Sequence, residues 1–225
     1  MDDRVVVGLY RHGLTEENRA KKYIGWHDAI LPEASRNELV QQAPLYSSYE
    51  LVITSDLARC KQTAEALFQD VPHLESNLFR ELHFGEWETK TYEELKSNGG
   101  YREWLNDSSI QIPGGESLGG FHERLRMGWL QVKDIVIRDR HGPKCVKNSG
   151  SHLPCDCQTK RIAIVTHGGV IRHLLTKLTA EERSFWEWQI PFGGGYELSW
   201  TADEWRSGKT CSSLRAVPST GNLNG

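Results

Sequence analysis

Two histidines follow apolar runs that are typical of buried strands, and both are flanked by residues suited to binding an anion. His12 lies in Arg11-His12-Gly13, and His167 lies in Thr166-His167-Gly168-Gly169. Open α/β sheets bind their ligands beyond the carboxyl ends of the strands. The sequence therefore predicts that the two histidines meet around one small anion.

Each residue type in these segments suits phosphoryl chemistry. A neutral imidazole can attack phosphorus and form a covalent phosphohistidine if one ring nitrogen is free and the other donates to a nearby carbonyl. The Arg11 guanidinium offers a planar fork of donors to phosphate oxygens. Gly13 lets the backbone approach closely, and Gly168 and Gly169 begin a helix whose amides can face an anion.

Composition excludes several classes of function. The chain has 225 residues, 38% apolar and 25% charged, as in one soluble α/β domain, and its net charge of −3 gives no field that would attract nucleic acid or an anionic membrane. No apolar stretch reaches the ~18 residues of a membrane helix, and the run behind the acidic start is too short for a signal sequence. Five cysteines argue against a disulfide framework. We expect a cytoplasmic protein without nucleic-acid or membrane partners.

Strand and helix signals alternate and predict a three-layer α/β/α sandwich with a mostly parallel central sheet. Asp56 is expected to cap a helix over 57–68, and a helix over 170–178 follows His167. Short helices are expected over 92–96 and 101–105. Predicted strands run over 4–10, 51–55, 161–166, 196–200 and 212–217. A longer helix is also predicted, and the spacing of its apolar residues gives it one buried face, formed by Phe121, Leu125, Trp129, Val132 and Val136.

We expect a single domain over residues 1–225, with an insertion at about 141–160 and a flexible tail from about 218. The insertion has no periodicity and contains Cys145, Cys155 and Cys157. Their Cys-x-Cys spacing differs from the Cys-x2-Cys of common zinc knuckles. A plain surface insertion is therefore favoured over a zinc or redox site.

Six blocks of sequence occur in a fixed order and together resemble one known family. The first contains Arg-His-Gly, the fourth Arg-Glu-Leu-His-Phe-Gly and the last Thr-His-Gly-Gly. They lie at 9–18, 23–28, 55–64, 79–88, 113–117 and 165–172. This ordered set resembles the histidine phosphatase superfamily, which has the phosphoglycerate-mutase-like fold.

The resemblance implies a metal-independent phosphomonoester hydrolase, a histidine acid-type phosphatase, that needs no cofactor. It assigns His12 as the nucleophile and Glu81 as the proton donor to the leaving group. Glu86 and Glu88 are rivals to Glu81, but the spacing to Phe84-Gly85 favours Glu81. The residues expected to bind the phosphoryl group are Arg11, Arg59, His167, Asn18 and Gly168.

These roles agree with the chemistry of the side chains. Two arginines and a second histidine place positive charge where the transition state spreads negative charge over three oxygens. After donating its proton, Glu81 can take a proton from the water that attacks the phosphohistidine. Leu14, Ser35 and Thr89 depart from the family's pattern, which leaves the substrate preference open.

Alternative functions remain beside a phosphatase of small phosphorylated metabolites, either α-ribazole-type or of broad specificity. A cofactor-dependent phosphoglycerate mutase is disfavoured because the chain lacks a longer insertion with paired arginines. A non-catalytic phosphate-binding regulator is disfavoured because His12 and Glu81 are both present. The aromatic residues Tyr23, Trp26 and Trp87 either border the site and grip a ring-bearing substrate or simply pack beneath its loops. The sequence leaves the oligomeric state open.

Overall fold

The computed structural model describes residues 3–139 and 159–218, in which strands alternate with helices. The strands are β1 (Arg4–Arg11), β2 (Leu51–Thr54), β3 (His73–Glu75), β4 (Thr159–Thr166), β5 (Gly195–Thr201) and β6 (Ser213–Val217). The helices are α1 (Glu16–Arg19), α2 (Glu33–Gln42), α3 (Ala58–Leu67), α4 (Tyr92–Leu95), α5 (Gly99–Asn106), α6 (Leu118–Asp139), α7 (Gly168–Leu178) and α8 (Ala202–Ser207).

The six strands form one mixed sheet in the order β3-β2-β4-β1-β5-β6. The pairs among β3, β2, β4 and β1 are parallel, whereas β5 and β6 are antiparallel to their neighbours. The predicted α/β class and the mostly parallel sheet are confirmed. Both central strands are buried over most of their length, β1 from Val5 to Tyr10 and β4 from Ile162 to Thr166, because helices cover both faces of the sheet.

Two apolar layers hold the helices against the sheet. On one face α6 and α7 pack over β1 and β4, and the buried residues there include Leu125 and Leu174. On the other face α3 packs over the same strands through Cys60 and Ala64. Full burial of each large apolar side chain contributes roughly 1.5–3 kcal/mol, so these layers fix the strands that carry the site.

The predicted buried face of the long helix is present on α6. Phe121, Leu125, Val132 and Val136 are each no more than 2% exposed. Trp129 is only partly buried, and its ring lies 5.5 Å from that of Trp205 and 6.0 Å from that of Trp200. α6 therefore buries its apolar side against this face of the sheet.

The predicted cap of α3 is wrong. Leu57 occupies the N-cap position, and the helix begins at Ala58, whose amide donates to the Asp28 carboxylate over 2.7 Å. The Asp56 carboxylate instead accepts two hydrogen bonds, from Arg80 Nε at 2.7 Å and from Arg80 Nη2 at 2.5 Å. A bidentate ion pair with a guanidinium outcompetes a single capping bond.

Other boundaries shift by a few residues, and four elements, α1, α2, β3 and α8, have no counterpart among the predictions. β4 begins at Thr159, so the end of the predicted insertion belongs to a strand. The rest of that insertion, with its three cysteines, and the tail beyond 218 lie outside the described residues. Within the described ranges, no helix has the length and apolarity needed to cross a membrane.

Candidate active site

The register of the central strands brings the two predicted histidines together. Arg11 on β1 is paired with Thr166 on the parallel strand β4, so His12 and His167 are the next residues on neighbouring strands. Their ring centroids lie 5.2 Å apart with an angle of 61° between the planes. The expectation of convergence at one sheet edge is confirmed.

His12 is held as a neutral imidazole with one nitrogen free. Its Nδ1 lies 2.7 Å from the carbonyl of Gly13, which can only accept, so Nδ1 carries the proton and Nε2 has the free lone pair. Burial, followed by the charges of Arg59 and Arg11, holds the pKa of His12 well below its usual range. The ring is therefore uncharged at neutral pH and has one nitrogen available as a nucleophile.

His167 is also neutral, but both of its ring nitrogens have partners. Its Nδ1 accepts from Arg59 Nη2 at 3.1 Å, so the proton lies on Nε2, which donates to Ser55 Oγ at 3.0 Å. Burial and the charge of Arg59 lower its pKa well below the usual range. If a phosphoryl oxygen is to accept from Nε2–H, the hydrogen bond to the Ser55 hydroxyl must first break.

Two arginines bring positive charge to the histidines. Arg59 is fully buried near the start of α3, where it donates to the carbonyls of Gly25 at 2.7 Å and His27 at 2.8 Å. Arg11 donates to the Ile190 carbonyl at 2.8 Å, and its guanidinium lies 3.7 Å above the Phe192 ring.

The Nε–H groups of Arg11 and Arg59 are buried without a hydrogen-bond acceptor. Burial lowers the pKa of both side chains, to about 10 for Arg11. A buried donor without a partner costs roughly 1–3 kcal/mol, and an anion that supplies the acceptor recovers that cost. The arrangement is therefore built to receive negatively charged oxygens.

The Glu81 carboxylate lies at the amino end of α7. Its Oε2 accepts from the amide of Gly169 at 2.9 Å, and its Oε1 accepts from the amide of Leu82 at 3.0 Å. A Cβ atom on residue 169 would lie 2.4 Å from Glu81 Oε1, so only glycine admits the carboxylate here. One of the amides expected to face a substrate anion is thus occupied by the predicted acid.

The backbone that carries Glu81 is fixed by an internal ion pair. Arg124 on α6 donates to the carbonyls of Arg80 at 2.9 Å and Glu81 at 3.2 Å. The Glu116 carboxylate holds Arg124 at 2.7 Å, and both side chains are about 15% exposed. This contact explains the sequence block at 113–117. Its Glu116 orients Arg124, and Arg124 in turn positions the backbone of the predicted acid, Glu81.

A second carboxylate joins the two loops that border the site. Glu88 Oε1 accepts from the amides of Trp26 at 2.7 Å and Phe84 at 3.2 Å, and Oε2 accepts from the amide of His27. The same 24–28 loop supplies the carbonyls that hold Arg59. Glu88 is therefore engaged as a link between loops, which leaves Glu81 as the carboxylate beside the arginines.

The remaining predicted ligands differ in their placement. Gly168 is buried beside the Arg11 guanidinium, at the first position of α7. Asn18 instead closes a capping box at the start of α1, where its carboxamide oxygen accepts from Thr15. Its role in phosphate binding stays a prediction, and the capping contacts leave its NH₂ group uncommitted.

Of the aromatic residues expected at the border, Trp87 packs beneath the loops. It is 2% exposed, and its ring contacts those of Tyr101 and Trp104. Trp26 stacks against His83 and Arg80 and donates from Nε1 to the Glu81 carbonyl at 3.0 Å. Tyr23 hydrogen-bonds to Tyr101. These contacts favour a packing role for all three.

Sequence reasoning gave no role to several residues that touch the site. Ser55 is the acceptor for His167, and Cys60 Sγ lies 3.5 Å from His167 Nε2. Thr63 accepts from the Gly13 amide at 2.8 Å. Ser55 could have been found, since it follows β2 at the same sheet edge as the histidines. Nothing in the local sequence marks Cys60 or Thr63.

The sequence matches the family model of the histidine phosphatase superfamily (branch 1) over residues 7–142 and 146–211. The chain belongs to this superfamily. Glucosyl-3-phosphoglycerate phosphatase of Mycobacterium tuberculosis H37Rv is 27% identical over 216 residues, which cover 92% of this chain and 89% of that protein. A 2,3-bisphosphoglycerate-dependent phosphoglycerate mutase of Xanthobacter autotrophicus is 26% identical, with coverages of 79% and 82%.

Among solved structures, α-ribazole phosphatase from Shigella flexneri superposes with a TM-score of 0.67 at 24% identity, over 87% of this chain and 89% of that one. This similarity supports the fold. The predicted family and fold class are confirmed, and the relatives support the prediction of a phosphoric monoester hydrolase.

Proposed function

We propose that the protein hydrolyses a small phosphorylated metabolite through a covalent phosphohistidine at His12. The observation that carries this proposal is the pairing of a free imidazole nitrogen with two buried arginine donors that lack acceptors. A phosphoryl group supplies both an electrophile for the nitrogen and acceptors for the guanidinium groups. The neutral state of His12 supports the same chemistry, because a protonated ring has no lone pair for attack.

In the first step His12 Nε2 bonds to phosphorus while the bond from phosphorus to the leaving oxygen breaks, and that oxygen takes a proton from Glu81. In the second step water attacks phosphorus and gives its proton to Glu81, while the bond between phosphorus and His12 Nε2 breaks and inorganic phosphate leaves. Arg11 and Arg59 neutralise the equatorial oxygens throughout. His167, Asn18 and Gly168 complete the proposed phosphoryl site.

The proposed place of action is the cytoplasm, in line with the charge and cysteine content of the chain. The proposed reaction needs neither metal nor cofactor, since fixed arginines take the role that Mg²⁺ has in other phosphoryl transfers. Within the described ranges, no three His, Cys, Asp or Glu side chains cluster as metal ligands. A single catalytic domain is proposed for the whole chain.

The proton donor is tested by varying the leaving group. Glu81→Gln keeps hydrogen-bonding capacity but cannot transfer a proton, so we expect kcat/KM to fall about 10²- to 10³-fold for alkyl phosphates. For p-nitrophenyl phosphate, whose leaving group needs little protonation, we expect a loss of less than about tenfold. Steady-state kinetics on both substrates measures the difference. Equal losses would assign the acid to another residue.

A screen of phosphorylated metabolites, run with and without 2,3-bisphosphoglycerate, separates hydrolysis from phosphoryl transfer between substrates. Release of inorganic phosphate without the bisphosphate supports the proposal. Turnover that depends on the bisphosphate and returns an isomeric phosphate ester would instead identify a mutase, the activity named for the Xanthobacter relative. Trapping the phosphorylated chain and mapping the label to His12 tests the covalent step directly.

A further inference from the structure

A third arginine reaches the site from α7. Arg172 lies one helical turn after Gly168, and side chains on a helix lean toward its amino end. Both Arg172 Nη1 and Arg11 Nε lie 3.4 Å from the position that a Cβ on Gly168 would occupy. The glycine therefore lets two guanidinium groups flank the end of the helix where Glu81 lies.

Arg172 has no ion-pair partner among the described residues, which are 3–139 and 159–218. Its charge and that of Arg59 add to the burial that lowers the pKa of Arg11, and only Glu81 opposes them. Adjacent like charges are unfavourable unless an anion compensates them. Arg172 thus adds a third positive charge beside the two arginines that are expected to bind the phosphoryl group.

The Arg172 side chain is oriented by the loop that follows α7. Its Nε–H donates to the carbonyl of Trp188 at 3.2 Å, a contact that leaves the terminal nitrogens for another partner. The rings of Phe185 and Trp186 lie 6.0 Å and 5.9 Å from its guanidinium carbon. Trp186 is 75% exposed, which is unusual for so large an apolar ring.

We propose that Arg172 and Trp186 form a second subsite, which binds a carboxylate on the substrate while the phosphoryl group lies at His12. The two terminal nitrogens of one guanidinium match the two oxygens and single charge of a carboxylate. The exposed indole covers the carbon skeleton between the two anionic groups. This inference rests on the proposed function, and it narrows the substrate class to phosphomonoesters that also carry a carboxylate.

The test uses 3-phosphoglycerate and glycerol 3-phosphate, which differ in having a carboxylate or a hydroxymethyl group. The wild-type protein should prefer the carboxylate substrate in kcat/KM. Hydrogen bonds to a charged group correspond to about 10- to 100-fold in binding, so Arg172→Gln should reduce that preference by this factor, mainly through KM. Arg172→Lys, which keeps the charge but loses the fork, should restore part of it.

Arg183→Gln is the matched control. Arg183 belongs to the same loop and stacks on Trp188, but it forms an ion pair with Glu181 and is largely exposed. We expect this variant to retain the preference for 3-phosphoglycerate. Equal losses on both substrates in Arg172→Gln would overturn the proposal, because they would show that Arg172 only positions the Trp188 loop. A wild-type protein without any preference would overturn it as well.

Hydrolysis of p-nitrophenyl phosphate separates this inference from the proposed function. If the wild-type protein hydrolyses it but shows no carboxylate preference, the subsite fails and the phosphatase stands. If no phosphomonoester is hydrolysed, the phosphatase fails, and calorimetric binding of the same two ligands then decides the subsite. Tighter binding of 3-phosphoglycerate that is lost in Arg172→Gln supports it, whereas equal binding of the two ligands overturns it.

Discussion

The part of the chain that the structure describes contains two histidine pairs that share several properties but differ in their surroundings. His12 and His167 meet at an angle of 61° beyond the central strands, whereas His122 and His173 stack at 4.3 Å and 21° between α6 and α7. Burial lowers the pKa of all four rings. A lowered pKa therefore does not by itself distinguish a reactive pair from a structural one.

The two pairs differ in which polar groups reach them. The second pair borders a cavity of about 450 Å³, lined mainly by apolar groups and by the Lys177 side chain. The first pair instead faces buried arginine donors without acceptors, on backbone fixed by the central strands. The comparison teaches that a cavity beside two histidines is not enough to indicate chemistry, whereas unpaired donors around a free nitrogen are a more specific signal.

The largest expected effect separates the two pairs directly. His12→Ala should reduce kcat/KM by about 10³-fold or more, because His12 is the one described residue at this site with a free imidazole nitrogen. His122→Ala should change kcat/KM by less than about twofold. Steady-state kinetics with p-nitrophenyl phosphate measures both, and circular dichroism confirms folding. Substantial activity in His12→Ala would remove the covalent mechanism, and a large loss in His122→Ala would remove the distinction.

A smaller effect is expected at Ser55, which sharpens the account of the catalytic pair. Ser55→Ala removes the acceptor that His167 Nε2–H has before substrate binds, so that Arg59 alone orients the ring that the substrate meets. We expect a loss of about 3- to 10-fold in kcat/KM, in line with one neutral hydrogen bond. Ser199→Ala is the control, since that hydroxyl accepts from Arg4 near the opposite end of the sheet. Identical activities for the two variants would contradict the role of Ser55.

The smallest effect concerns His173, in the second pair, and the pH dependence of the free energy of unfolding. Burial lowers the pKa of His173 to about 4, so the folded protein keeps the ring neutral while the unfolded chain binds a proton near pH 6.5. The contribution to stability is therefore complete above pH 6.5 and declines as the pH falls toward 4, by at most about 3 kcal/mol.

His173→Gln should flatten that decline, because glutamine does not titrate. Urea denaturation at several pH values between 7.5 and 4.5 measures the free energy of unfolding. The pH slope is the informative quantity, since the substitution also changes the stability at neutral pH. A variant that loses stability in parallel with the wild type would show that His173 does not carry this linkage.

Local sequence was sufficient for the parts of the fold whose patterns are strong. The apolar runs of β1 and β4 predict their strands, and the order of the six blocks predicts the family. α2 was not found because it buries only Ser35 and Leu39, which gives almost no periodic signal. β3 was not found because all three of its residues are exposed at a sheet edge.

Residues of the site could be predicted from the sequence, but the hydrogen bonds and ion pairs that join them could not. His12, His167 and the nearby arginines follow from motif and position. The partners of Glu81 and Arg172 are set by contacts between distant segments, which spacing along the chain does not reveal. The cap at Asp56 failed for the same reason, since its competitor Arg80 lies 24 residues away.

The pairing of β1 with β4 also has a dynamic consequence. The His12 amide donates to the Thr166 carbonyl at 2.9 Å, between the two central strands. Exchange of that amide proton with deuterium requires the strands to separate, and such openings cost nearly as much as global unfolding. We therefore expect the His12 amide to be among the slowest to exchange. The proposed nucleophile thus lies on backbone that opens only when the two central strands part.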